Sequence, residues 1–284
     1  MIGIIAHSEK KGGRVVTLAL VEELEKRGER LLLESQTARL IHREGGVDEA
    51  ELAAACELIV VLGGDGTILR AVHRIGEQLR PLLGINIGSL GFLTCVGPDD
   101  MERAVRCIVS RTFVLSPRTL IHAELLRRGA TIAKLNALND VVVSRGERSQ
   151  LVMLEVRVDH AVLTTYNADG LIFATPTGST AYSLSAGGPI LTPDSGAFVI
   201  TPICPHVLTN RSTVVGDSSV IEIRVIDRKQ EVFVNVDGRI FHEMHAGDVL
   251  RVTKSDLVLP LAMLPGLAFP DILRAKMRWS GSYV

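Results

Sequence analysis

The chain carries almost no excess of charge of either sign: 31 lysines and arginines stand against 32 aspartates and glutamates in 284 residues. That balance removes the electrostatic case for a general nucleic-acid binder or a membrane-surface protein, since both need a basic field. Cysteine is scarce. Cys56, Cys95, Cys107 and Cys204 lie far apart, with neither the paired spacing of a zinc site nor the density of a disulfide scaffold, and they read as reduced structural thiols. No long apolar run occurs either. The longest, residues 257–269, is interrupted by Pro260 and Pro265 and falls short of the roughly 20 residues a membrane helix needs. Met1-Ile2-Gly3-Ile4-Ile5-Ala6 reads as a strand and not a secretory leader, so a cytoplasmic protein acting on small molecules is the expectation. Internal repeats and low-complexity tracts are absent, and the length suits two moderate domains.

Common site signatures are missing as well. There is no G-x-x-x-x-G-K-[ST], which excludes a Walker-type phosphate loop, and the glycines at 63–66 do not follow the G-x-G-x-x-G of an ordinary dinucleotide fingerprint. Gly178-Ser179-Thr180 is not a G-x-S-x-G hydrolase elbow. His242-Glu243-Met244-His245 lacks the i, i+4 spacing of a zinc protease and reads as a solvated turn. His206, in Pro202-Ile203-Cys204-Pro205-His206, reads as a structural hydrogen-bonder.

What is present begins with Val61-Leu62-Gly63-Gly64-Asp65-Gly66-Thr67, an apolar strand running into three glycines that enclose one carboxylate. Glycine tolerates positive φ and has no Cβ, so such a loop turns sharply and brings its N–H groups close to a polyanion. A carboxylate beside phosphates is repelled unless it holds a cation or removes a proton, which makes Asp65 the catalytic candidate. A second stretch, Gly84-Ile85-Asn86-Ile87-Gly88-Ser89-Leu90-Gly91-Phe92, follows the next strand and should lie beside the first at one sheet edge. The Phe92 ring suits either a base or, more commonly, packing. Asp169-Gly170 and the run from Thr175 through Pro189 place many hydroxyls and glycines at a strand-to-helix transition, as a nucleotide-facing surface would. Asn139-Asp140 reads as a turn before the strand Val141-Val142-Val143.

Up to about residue 110, short apolar runs at 2–6, 31–34, 58–62 and 82–87 alternate with amphipathic stretches at 15–24, 48–56 and 67–75, the pattern of parallel strands with crossover helices. Another helix should follow residues 97–99 and run through 108. From 112 the period becomes two, as in Val220-Ile221-Glu222-Ile223-Arg224-Val225, so the second half is mostly β. Residues 271–277 return to helical spacing and are expected to pack back on the first domain.

Together these segments resemble the NAD kinase family over nearly the whole chain: 63–67, 86–93, 137–140, 169–189, 201–210, 236–238 and the tail from Leu273 to Trp279. The glycine–aspartate loop alone is shared with diacylglycerol kinases, sphingosine kinases and phosphofructokinases. The resemblance implies an α/β N-terminal Rossmann-like domain plus a β-rich C-terminal domain, divided as 1–111 with 265–284 and 112–264, and a homodimer or homotetramer. It implies NAD as substrate, ATP or polyphosphate as phosphoryl donor and a divalent metal, Mg²⁺, with no residue assigned as its ligand. By the same resemblance Asp65 is general base toward the 2′-hydroxyl of the adenosine ribose, while Gly63, Gly64, Gly66, Thr67 and Arg70 belong to the phosphate side. Asn86, Phe92, Gln150, Asn167 and Arg239 line the nucleotide site, and Asn139 and Asp140 meet the ribose or nicotinamide portion. Asp169, Thr180, Ala181, Tyr182, Ser183, Leu184 and Ser185 surround the adenosine. Asn167 stands where many bacterial relatives carry arginine, and Asp140 where other members have glutamate. A lipid kinase and a silent dinucleotide sensor are the rival readings.

Overall fold

The computed structural model describes residues 1–10, 12–88, 90–94, 96–97, 100–146, 150–207, 209–226 and 231–279. The chain forms two compact units, one of Met1–Pro117 with the chain from Leu259 onward, the other of Arg118–Val258. In the first unit, all-apolar runs become parallel strands, because a strand covered on both faces has no use for polar alternation. β1 (Ile2–Ala6), β2 (Leu31–Leu33), β3 (Leu58–Gly63) and β4 (Leu82–Asn86) pair in parallel in the order β2-β1-β3-β4, with Ile4 opposite Val60 and Val61 opposite Gly84. The connecting helices are α1 (Gly13–Lys26), α2 (Ser35–Leu40), α3 (Glu49–Ala55), α4 (Asp65–Ile75) and α5 (Met101–Ser110). α1 buries Thr17, Leu20, Val21 and Leu24, a stripe at helical spacing.

Two helices differ from expectation. α2 has no marked apolar period. It forms because buried Glu34 accepts hydrogen bonds from Gln36 N (2.7 Å), Thr37 N (2.9 Å) and Thr37 Oγ1 (2.9 Å), so one side chain supplies the N-cap. α4 starts at Asp65 instead of 67, which puts the carboxylate in the first helical turn.

The remaining strands, all in the second unit except the start of β5 and the end of β16, are β5 (Val114–Arg127), β6 (Ala130–Ala137), β7 (Asp140–Arg145), β8 (Val152–Val158), β9 (Ala161–Ala168), β10 (Gly170–Ala174), β11 (Ala197–Ile203), β12 (Thr213–Gly216), β13 (Ile221–Val225), β14 (Val232–Val236), β15 (Arg239–Met244) and β16 (Val249–Met263). One antiparallel group contains β8, β9, β13 and the start of β16, with β5 pairing β6. A second sheet runs β12-β11-β10-β7-β14-β15. Ile221, Ile223, Leu154, Val156, Val141, Val143, Phe173 and Phe198 fill one core. Val142, Ile172, Ala174 and Val199 bury the other face of the second sheet against Ala186, Leu191 and Ile203, which is why β7 has no polar residue between Val141 and Val143. A single 3₁₀ turn at Gly178–Thr180 and the short α6 (Tyr182–Ser185) follow β10.

Residues 242–244 form part of β15 and not a solvated turn, because fully buried Met244 draws the alternating segment onto the core. The apolar run at 257–269 is the end of β16, whose Leu261 pairs in parallel with Leu82, followed by a turn into α7 (Phe269–Met277) in the first unit. Cys56 and Cys107 are buried and free, whereas Cys204 is exposed; Cys95 lies outside the described residues. No described helix is long and apolar enough to cross a membrane.

Glu34→Ala should cost about 2 kcal/mol, because it strands two amide donors and a hydroxyl at a buried helix start. A urea titration reads the change as a lower midpoint with an unchanged slope.

Candidate functional site

Adjacent parallel strands end side by side, so the chains leaving β1, β3 and β4 meet at one edge of the first unit's sheet. At the end of β3, a Cβ on Gly63 would lie 2.3 Å from Thr67 Oγ1, so only glycine fits there. Gly64 N donates to Thr67 Oγ1 (3.3 Å), and Thr67 N donates to Gly64 O (2.9 Å). Gly63, Gly64 and Gly66 all lack a positive φ, and Gly64 is extended at φ −121°. The expectation of a left-handed glycine turn is therefore corrected: the chain passes directly from strand to helix.

Gly64 and Gly66 have a different property. Around a Cβ built on Gly66 nothing of the chain lies within 4 Å, and around one on Gly64 only Lys10 Nζ does, at 3.9 Å. Neither backbone conformation nor internal packing demands glycine at these two positions. Both border a cavity of about 710 Å³ whose other walls are His7, Glu9, Lys10, Thr67 and Arg70. Lys10 and Arg70 are half-buried and have no ion-pair partner among the described residues. With the N-terminus of α4 they make the cavity wall electropositive. Sequence reasoning missed His7, Glu9 and Lys10. The available signal was their position just beyond β1, which neighbours β3.

Asp65 does not line this cavity. Its Oδ1 accepts from Leu93 N (3.1 Å), Thr94 N (3.0 Å) and Thr94 Oγ1 (3.0 Å), and its Oδ2 accepts from Phe92 N (2.8 Å). One acceptor position of Oδ2 therefore stays open among the described residues. A Cβ on Gly91 would fall 2.0 Å from Asp65 Oδ1, so the carboxylate's seat requires glycine at 91. Buried Asn86 belongs to the same frame: Nδ2 donates to Thr94 Oγ1 (2.8 Å), and Oδ1 accepts from Gly88 N (2.5 Å). The Phe92 ring lies 6.5 Å from that of Phe269 at 35°.

In the second unit Asn139 and Asp140 open β7, beside Asp237 in the β14–β15 hairpin and Thr175 at the end of β10. Burial first, then the nearby Asp237 charge, pushes the Asp140 carboxyl up to about 7. Asp169, just before β10, pairs with Arg145, whose Nε donates to Oδ1 at 2.7 Å. Arg145 was not anticipated. Several hydroxyls expected to face a ligand are turned inward. Thr175 Oγ1 donates to Leu138 O, Ser179 Oγ to Pro176 O, and Ser183 Oγ shares a hydrogen bond with Thr201 Oγ1. Thr180 Oγ1 donates to Thr177 O, while Ala181 and Leu184 are half-buried and Tyr182 and Ser185 are exposed. Asn167 is half-buried on β9, its carbonyl accepting from His206 N, and Gln150 and Arg239 are exposed.

A strand end walled by cations in one unit and a tightly tied polar turn in the other are matched by two family models. The ATP-NAD kinase N-terminal domain covers residues 2–113 and the ATP-NAD kinase C-terminal domain covers 138–263, which places the protein among the phosphotransferases. An NAD kinase of Syntrophotalea carbinolica is 38% identical over 98% of both chains. One from Acetivibrio thermocellus is 39% identical over 97% of this chain and 96% of the relative. The chain belongs to the NAD kinase family. Among solved structures, yeast NADH kinase complexed with NADH matches with a TM-score of 0.90 at 25% identity, covering 100% of this chain and 88% of that one. An Archaeoglobus fulgidus NAD kinase in complex with ATP matches in fold with a TM-score of 0.74 at 22% identity, over 99% and 98% of the two chains.

The Asp140 carboxyl yields a pH test. Its folded value of about 7 exceeds the ordinary aspartate value of about 4, so between these limits the folded protein holds a proton that the unfolded chain has released. Its contribution to stability is complete below about pH 4 and is lost as the pH rises through about 7. Relative to wild type, Asp140→Asn should therefore gain stability steadily over that window and hold the gain above it, as read by denaturation midpoints across a pH series.

Proposed function

We propose that this protein transfers the γ-phosphoryl group of ATP, or a terminal phosphoryl of polyphosphate, to the 2′-hydroxyl of the adenosine ribose of NAD, giving NADP. Family membership supports the reaction. The one structural observation that carries the donor side is the pair Gly64 and Gly66, which leave open backbone on a cavity wall shared with Lys10 and Arg70. Glycine without an internal reason fits a wall against which a polyanion is pressed.

In this reading Gly64, Gly66, Thr67, Lys10 and Arg70 hold the donor's phosphates, with charge neutralised by Lys10 and Arg70. Asp65 is the base. The amides of residues 92–94 and the Thr94 hydroxyl fix its carboxylate, and the open position of Oδ2 takes the ribose proton as the O–P bond forms and the donor's bridging P–O bond breaks. Asn139, Asp140, Asp169, Gln150, Asn167, Arg239 and the segment from Thr180 to Ser185 form the acceptor side.

Among the described residues no group of three or more His, Cys, Asp or Glu side chains could hold a metal ion. Mg²⁺ is commonly bound through substrate phosphates and one or two carboxylates. Glu9 is the carboxylate on the cavity wall. When bound, the cation would offset charge on the transferred group.

The lipid-kinase rival needs an apolar chute, yet the cavity wall has no long apolar side chain. Incubation with NAD, ATP and Mg²⁺ should yield NADP, measured with an NADP-dependent dehydrogenase. A protein that binds NAD but makes no NADP is the silent sensor. Asp65→Asn should lower turnover by roughly 10²- to 10⁴-fold while NAD still binds. Gly66→Ala meets nothing in the chain, so its melting temperature should hold or rise while KM for ATP increases roughly tenfold, about 1.4 kcal/mol. An unchanged KM would remove Gly66 from the donor site.

A further inference from the structure

Asn139 and Asp140 sit on a backbone whose polar groups are all engaged. Leu138 N donates to Asp237 Oδ2 (2.9 Å), and Asn139 N and Asp140 N both donate to Asp237 Oδ1 (2.8 and 3.1 Å). Leu138 O accepts from Thr175 Oγ1 (2.6 Å), Asn139 O from Thr175 N (2.9 Å), and Asp140 O from Asp237 N (3.0 Å). A Cβ on Gly178 would come within 1.9 Å of Asn139 O, so the turn is closed on that side too. Three successive amides curving round one point form an anion-binding concavity, and here the occupant is a carboxylate of the protein itself. The side chains of Asn139 and Asp140, by contrast, have no hydrogen-bond partner among the described residues. Asp140 is only 4% exposed.

The Asp140 residue is buried, but its carboxyl oxygens are not among the fully enclosed polar atoms and take no hydrogen bond from the described residues, which leaves them available to a ligand. Holding them unpaired requires that the backbone not relax toward them. Asp237 supplies that restraint. It sits at the tip of the β14–β15 hairpin at φ 47°, followed by Gly238 at φ 79°, the pair of positive φ angles that a tight two-residue hairpin demands. Hairpin geometry thus aims one carboxylate at the start of β7.

We propose that Asp237 is a positioning residue for the acceptor: it presets the 138–140 turn so that the Asn139 and Asp140 side chains meet the dinucleotide without rearrangement. The proposal rests on the reading of this turn as part of the acceptor side. In this role Asp237 acts through the turn it holds and not by contact with the dinucleotide.

Asn tolerates the left-handed backbone, so Asp237→Asn keeps the hairpin while altering the acceptors offered to the turn. One amide of the turn then faces an NH₂ group. KM for NAD should rise roughly tenfold, and further in Asp237→Ala, while KM for ATP and kcat at saturating NAD stay within about twofold of wild type. A residue that merely stabilises the fold would lower the melting temperature and leave both KM values unchanged, and that result overturns the proposal. Amide hydrogen exchange of wild type at 138–140 gives a second reading that needs no variant. Strong protection without NAD, unaltered when NAD is added, is expected; rapid exchange relieved by NAD overturns presetting even where the variants fail to fold. Absence of NADP formation by wild type would instead overturn the proposed reaction, leaving the exchange measurement to judge the turn.

Discussion

Parallel strands under 5 Å apart cannot end without bringing their loops together, and the first unit's sheet depends on that constraint. β1, β3 and β4 are consecutive in it, so the segment with His7 and Lys10, the glycines at 63–66 and the stretch from Asn86 to Thr94 converge although they are distant in the chain. The bonds from residues 92–94 to Asp65 are a direct product of β3 pairing with β4 in register, Gly63 opposite Asn86. A slip of that pairing would separate the carboxylate from its seat.

The protein repeatedly uses one device, a carboxylate that gathers backbone N–H groups. Glu34 starts α2, Asp65 closes the turn after β4, Asp237 ties down the turn before β7, and Asp159 accepts from Val220 N. Charge-assisted bonds of this kind are about twice as strong as neutral ones, and each ties together segments far apart in sequence except at α2. Among these four, Asp65 is the one whose chain neighbours, Gly64 and Gly66, line the cation-walled cavity.

Much of this was legible in the residues. The runs at 2–6 and 58–62 are apolar throughout, as strands covered on both faces must be, and the alternation in Ile221-Glu222-Ile223-Arg224 records a strand with one wet side. What could not be read depends on which way side chains turn once distant segments meet. Glu34 caps α2 only because it is buried, and His242 and Glu243 join a strand because Met244 reaches the core. Thr175 and Ser183 looked like ligand donors because a hydroxyl shows its chemistry in sequence but not its direction. Lys10 was invisible for a similar reason: an isolated lysine near a strand end acquires meaning only when Gly64 and Gly88 leave it room.

The seat of Asp65 is braced by the last helix of the chain. Phe269 lies beside Phe92, and Lys276 Nζ donates to Leu90 O at 2.7 Å, so α7 supports the very turn whose amides hold the carboxylate. Leu90 and Lys276 are 186 positions apart, so this support exists only once the two stretches of chain that make up the first unit have come together.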